Sequence, residues 1–69
     1  MIDNNFGKRL KELRIENNLN LIELANYIGV GKSTISNWEL GQNEPTLSSL
    51  IKLANFFKVS IDFLAGREI

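Results

Sequence analysis

Apolar positions along the chain mark five short helical segments and no strand alternation. In the first, about residues 5–17, Phe6, Leu10 and Leu13 recur at i, i+4 and i+7, one face of a helix, and Asn17-Asn18 closes it. The second, about 21–28, follows Asn20, a good N-cap. Glu23, three residues on, completes a capping box. Leu24, Ala25 and Ile28 form its stripe, and Gly29 is its natural stop. The third, about 32–40, has only Ile35 and Trp38 as large apolar residues on one face, and Gly41 ends it. The polar loop QNEPT holds the sole proline, Pro45. Thr46 then opens a fourth segment, about 46–57, with Leu47, Leu50, Ile51, Leu53, Ala54 and Phe57. It is apolar almost all round, which predicts the central helix. Ser60 caps a fifth, about 61–65, carrying Ile61, Phe63 and Leu64 before Gly66. Helices this short with such brief connections predict an all-α fold, a compact bundle of five helices. A chain of 69 residues leaves no room for a second domain, so one domain over 1–69 is expected.

Composition removes whole classes of chemistry. Cysteine and histidine are both absent, which excludes disulfides, thiolate nucleophiles, ordinary zinc sites and imidazole general bases. Asp3, Glu12, Glu16, Glu23, Glu44, Asp62 and Glu68 are scattered over polar faces, with no pair converging on a pocket. An enzyme is not expected, and no catalytic residue, metal or cofactor is assigned. The opening MIDNNFGKRL has no apolar run, so neither a signal peptide nor a membrane span is expected; a cytoplasmic, nucleoid-associated protein is. Eight lysines and arginines balance eight aspartates and glutamates. Zero net charge counts against a nucleic-acid partner, since a basic surplus is the usual footprint. The distribution is uneven, however: Lys8, Arg9, Lys11 and Arg14 lie in one stretch.

The stretch GVGKST, residues 29–34, resembles the tail of a nucleotide-binding phosphate loop. That motif needs a glycine five positions before Gly31, where the chain has Asn26. It also needs a preceding strand, a parallel sheet and a later strand ending in a magnesium-binding aspartate, and none of these is legible. A wider window, Asn20 to Gly41, reads as helix, tight glycine-containing turn, helix. That is the helix-turn-helix unit, whose second helix enters a major groove. At about 100° per residue with Ile35 set inward, Trp38 and Glu39 fall on the core side. Ser33, Ser36, Asn37 and Leu40 fall opposite, and Lys32 flanks the first turn. Short hydroxyls and an amide approach base edges and phosphates closely. The same face also suits a surface helix with no partner.

Five stretches, GKRLKELR (7–14), IELANYIGV (22–30), STISNWELG (33–41), EPTLSSLIKLANFF (44–57) and VSIDFLAG (59–66), together resemble the Cro/C1-type, or XRE, family of phage-repressor helix-turn-helix domains. The resemblance implies the lambda-repressor-like five-helix fold and sequence-specific binding of double-stranded operator DNA, often palindromic and bound by a homodimer. It places Lys32, Ser33 and Asn37 at base edges. It places Gly31, Thr34, Ser36, Gln42 and Asn43 near phosphates. It also places Arg14 and Glu39 where many members form a buried ion pair, and Glu39 beside the core-facing Trp38 needs such a partner. Lys8 and Arg9 are expected to add only long-range attraction.

The chain departs from the family at three positions. Leu21 stands where glutamine is common, Gly31 where the recognition helix is usually capped by Ser or Thr, and Leu40 where a polar or basic residue is usual. Leu21 and Leu40 therefore mark either a protein-binding surface or residues covered by neighbours. Phe57, Ile61, Phe63, Leu64 and Ile69 are many apolar groups for the end of a small domain. They either form a homodimer surface or complete the core. Larger relatives carry a separate oligomerisation domain after this point, so the chain is expected to be a minimal regulator or a fragment. The leading expectation is a transcriptional repressor. The alternative is a protein-interaction module or an antitoxin built on the same fold.

Overall fold

The structure is a computed structural model that describes residues 5–66. Five helices follow one another: α1 (Asn5–Glu16), α2 (Leu21–Ile28), α3 (Lys32–Glu39), α4 (Leu47–Phe57) and α5 (Ile61–Leu64). No strand occurs among the described residues. Their bounds match the sequence expectation to within a residue, and at α2, α4 and α5 the caps that announce the start are formed. The Glu23 N–H donates to Asn20 Oδ1 at 2.7 Å, and the Asn20 N–H donates to Glu23 Oε1 at 2.9 Å, completing the α2 capping box. Gly29 then turns left-handed, with φ 86°, and its N–H reaches the Ala25 carbonyl. Thr46 and Ser60 accept from the N–H groups of Ser49 and Phe63 in the same way, fixing the starts of α4 and α5.

Each helix contributes to one core. Phe6 and Leu10 come from α1, Leu24, Ala25 and Ile28 from α2, Ile35 and Trp38 from α3, Leu50, Leu53 and Ala54 from α4, and Leu64 from α5. Phe6 meets Trp38 edge to face, with ring centroids 6.3 Å apart. α3 packs against both α1 and α2, while α4 packs against α2 and α5.

The expectation that the fourth helix is central is corrected. Only its Leu50, Leu53 and Ala54 are buried; Leu47 is 69% exposed and Ile51 40%. The helix is amphipathic after all, with apolar residues spilling onto its outer side because no element covers that side. Phe56 lies between the two sides, its ring 5.0 Å from Tyr27 and 5.0 Å from Phe57. No described helix is long and apolar enough to cross a membrane.

Candidate nucleic-acid interface

GVGKST forms the turn between α2 and α3. Gly29 ends α2, and Gly31 is the N-cap of α3 in an extended conformation with no side chain to cap the helix. The Gly31 carbonyl accepts from the N–H groups of Thr34 and Ile35. The N–H groups of Lys32 and Ser33 have no acceptor among the described residues. The two helix starts thus differ. Asn20 and Glu23 close a capping box at the start of α2, whereas no side chain caps the start of α3.

Along α3, Ile35 and Trp38 are buried while Lys32 and Ser33 are exposed. Thr34, Ser36 and Asn37 are half-buried. Leu40, just past the helix, is 69% exposed. The Gln42 N–H donates to the Asn37 carbonyl at 2.9 Å, so the following loop is tied to the helix and its exposed Gln42 and Asn43 continue the same edge. The expected base-facing and phosphate-facing residues thus lie between the α2–α3 turn and the α3–α4 loop, with the exposed Leu40 among them.

Two contacts set the attitude of α3. The Arg14 guanidinium grips Glu39 with both carboxylate oxygens, Nε to Oε2 at 2.7 Å and Nη2 to Oε1 at 3.1 Å. Its remaining Nη1 donates to the Leu19 carbonyl at 3.0 Å. One side chain thus joins α1, the α1–α2 loop and the end of α3. The side chains are only 13% and 8% exposed. The hydrogen bonds to Glu39, aided by its charge and opposed by burial, raise the Arg14 pKa above its ordinary value.

The second contact, at Gly7, escaped the sequence reading. An added Cβ there would stand 2.6 Å from the Glu39 carbonyl oxygen and 2.7 Å from that of Trp38. The α1 backbone approaches the end of α3 closely because this side chain is absent.

Several expected surface residues are placed elsewhere by the fold. Leu64 is fully buried and belongs to the core, so it is removed from the candidate dimer surface. It points inward because α5 is a single turn clamped against α1 and α4. Phe63 is half-buried under the Arg9 guanidinium, 4.4 Å from its ring centroid. Phe57 is half-buried against the core, Ile61 is exposed, and Ile69 lies outside the described residues. Leu21 also packs against the core, which leaves Leu40 as the exposed one of the two departures on this side. The early cluster of cations is split: Arg9 covers Phe63 and Arg14 holds Glu39, while Lys8 and Lys11 are exposed. No group of metal-binding side chains occurs among the described residues.

A helix-turn-helix family model matches residues 10–64. The chain is similar to the cryptic phage CTXphi transcriptional repressor RstR of Vibrio cholerae, 45% identical over 56 residues, which are 81% of this chain and 50% of that protein. It is similar to the HTH-type transcriptional regulator ImmR of Bacillus subtilis, 37% identical over 62 residues, covering 90% of this chain and 49% of that one. It is also similar to the HTH-type transcriptional activator BcrR of Enterococcus faecalis, 38% identical over 65 residues, covering 93% and 32%. The chain spans half the length or less of these curated relatives.

Proposed function

The chain belongs to the helix-turn-helix family, and from that premise we propose that it binds double-stranded DNA sequence-specifically, as a cytoplasmic, nucleoid-associated transcriptional regulator with α3 in the major groove. The observation that carries this reading is the run of polar side chains Lys32, Ser33, Thr34, Ser36, Asn37, Gln42 and Asn43, interrupted on the outer side by the exposed Leu40 and borne by a helix with no side-chain cap. In this reading Lys32 approaches guanine O6 or N7, Asn37 pairs with adenine, and Ser33 meets an adjacent base. The open N–H groups of Lys32 and Ser33 at the Gly31 cap, the hydroxyls of Thr34 and Ser36, and the side chains of Gln42 and Asn43 hold phosphates. No cofactor or metal takes part.

Repression is the sign adopted, as in the name of RstR; BcrR is named an activator, so the reading rests on DNA recognition and not on the sign. The operator is palindromic and bound by two copies, with the exposed apolar Ile61 and Phe56 at the α4–α5 end available for the contact between them.

Asn37→Ala and Ser33→Ala test the reading. Each is expected to lose about 1–3 kcal/mol of discrimination at one base position, seen by gel shift on a selected site. Their melting curves stay close to that of the parent chain, since neither side chain makes a described hydrogen bond within the fold. Unchanged affinity and base preference in both variants would overturn the assignment of α3.

The exposure of Leu40 favours a second reading, a protein-interaction module or antitoxin. It predicts no DNA binding even at low salt, and a protein complex broken by Leu40→Asp. DNA binding that survives Leu40→Asp, with no such complex, removes it.

A further inference from the structure

We propose that Lys8, in the first turn of α1, is a DNA phosphate contact that extends the interface beyond the helix-turn-helix unit; this rests on the DNA-binding reading above. The placement starts with its neighbour. Gly7 lets the α1 backbone close onto the Trp38 and Glu39 carbonyls, so the first turn of α1 is seated on the end of α3. Lys8 consequently lines a shallow depression with Glu39, Leu40 and Gly41, where α3 passes into the α3–α4 loop. Gln42 and Asn43 follow directly along that edge. A duplex with α3 in its major groove runs a phosphate strand past this loop, within range of a four-carbon ammonium stem.

The ammonium is not spent inside the fold. It is exposed, and no described ion pair or hydrogen bond engages it. The nearby Glu39 carboxylate has both oxygens on Arg14. Nor is Lys8 needed to cap α3. The carbonyls of Ser36, Asn37 and Trp38 already accept from the N–H groups of Leu40, Gln42 and Gly41. A free cation held beside a phosphate-facing loop is the arrangement that releases a counterion when DNA binds. In a chain of zero net charge, with Arg9 and Arg14 engaged internally, one such contact is a large share of the attraction.

The test is fluorescence anisotropy with a labelled mixed-sequence duplex across a salt series, for the parent chain, Lys8→Gln, Lys8→Arg and Lys52→Gln. Lys52 is an exposed cation on α4, so its variant carries the same change in net charge. Lys8→Gln is expected to make the slope of log affinity against log salt shallower by about 0.9, and to weaken binding roughly 8-fold at about 0.1 M salt. Lys8→Arg keeps the slope, and Lys52→Gln leaves it unchanged. Equal slopes for the parent and Lys8→Gln, or equal changes in Lys8→Gln and Lys52→Gln, overturn the proposal while leaving the DNA reading in place. A folded parent chain that binds no duplex at the lowest salt overturns both.

Discussion

Glu39→Ala is expected to destabilise the fold by about 3 kcal/mol, the lower part of the range for breaking a buried ion pair. Removal of the carboxylate strands the Arg14 guanidinium in a largely covered position, 13% exposed, with one hydrogen bond left, to the Leu19 carbonyl. That remaining bond is why the loss sits at the lower end. Glu39→Gln keeps an acceptor oxygen and should lose less. The raised pKa of Arg14 contributes stability that is complete below the ordinary arginine value and is lost only as pH rises through the raised one. From the arginine side, the pair is therefore constant across the neutral range, and the variants can be compared there at a single pH. Chemical denaturation measures the difference. A loss below about 1 kcal/mol, typical of a solvated surface pair, would contradict the brace.

Gly7→Ala should destabilise by about 2 kcal/mol, a fall in melting temperature of roughly 8–16 °C for a domain of this size. Two effects compete. Alanine gains about 1 kcal/mol over glycine within a helix. Against that, the new methyl meets two backbone oxygens at 2.6 and 2.7 Å, and carbonyls of a packed helix cannot swing aside as a flexible side chain can. Overpacking of this kind costs about 1–3 kcal/mol, and contact with backbone belongs at the upper end. An unchanged or raised melting temperature, which propensity alone predicts, would show that α1 and α3 can part without cost. Both substitutions act at the end of α3, so they also test whether the attitude of that helix is fixed by α1.

The helices were legible from local signals: caps at α2, α4 and α5, and apolar spacing in α1 and α3. Asn20 with Glu23, Thr46 and Ser60 are caps whose partners lie three residues away, so neighbouring residues suffice to identify them. The polar side of α3 was partly legible for a similar reason: with Ile35 and Trp38 inward, helical geometry sends Ser33 outward, while Asn37 ends half-buried. What stayed hidden depends on contacts between distant segments. Leu64 and Ile61 look alike in sequence, yet one is in the core and the other exposed, because α5 is a single turn whose inner side is chosen by α1 and α4. Leu47 and Ile51 suggested a central helix because a sequence does not show whether a partner covers the second side. Gly7 reads as a weak helix residue until the α3 carbonyls are seen against it. The cations at 8–14 read as one cluster, but the helix turns Arg9 to Phe63 and Arg14 to Glu39.

α3 is proposed to read a DNA sequence. In vitro selection from random duplexes at low salt, with a melt to confirm that the protein is folded, tests it most directly. Enrichment of a palindrome whose half-sites lie about one helical turn apart is expected. A folded protein that enriches no sequence would contradict it.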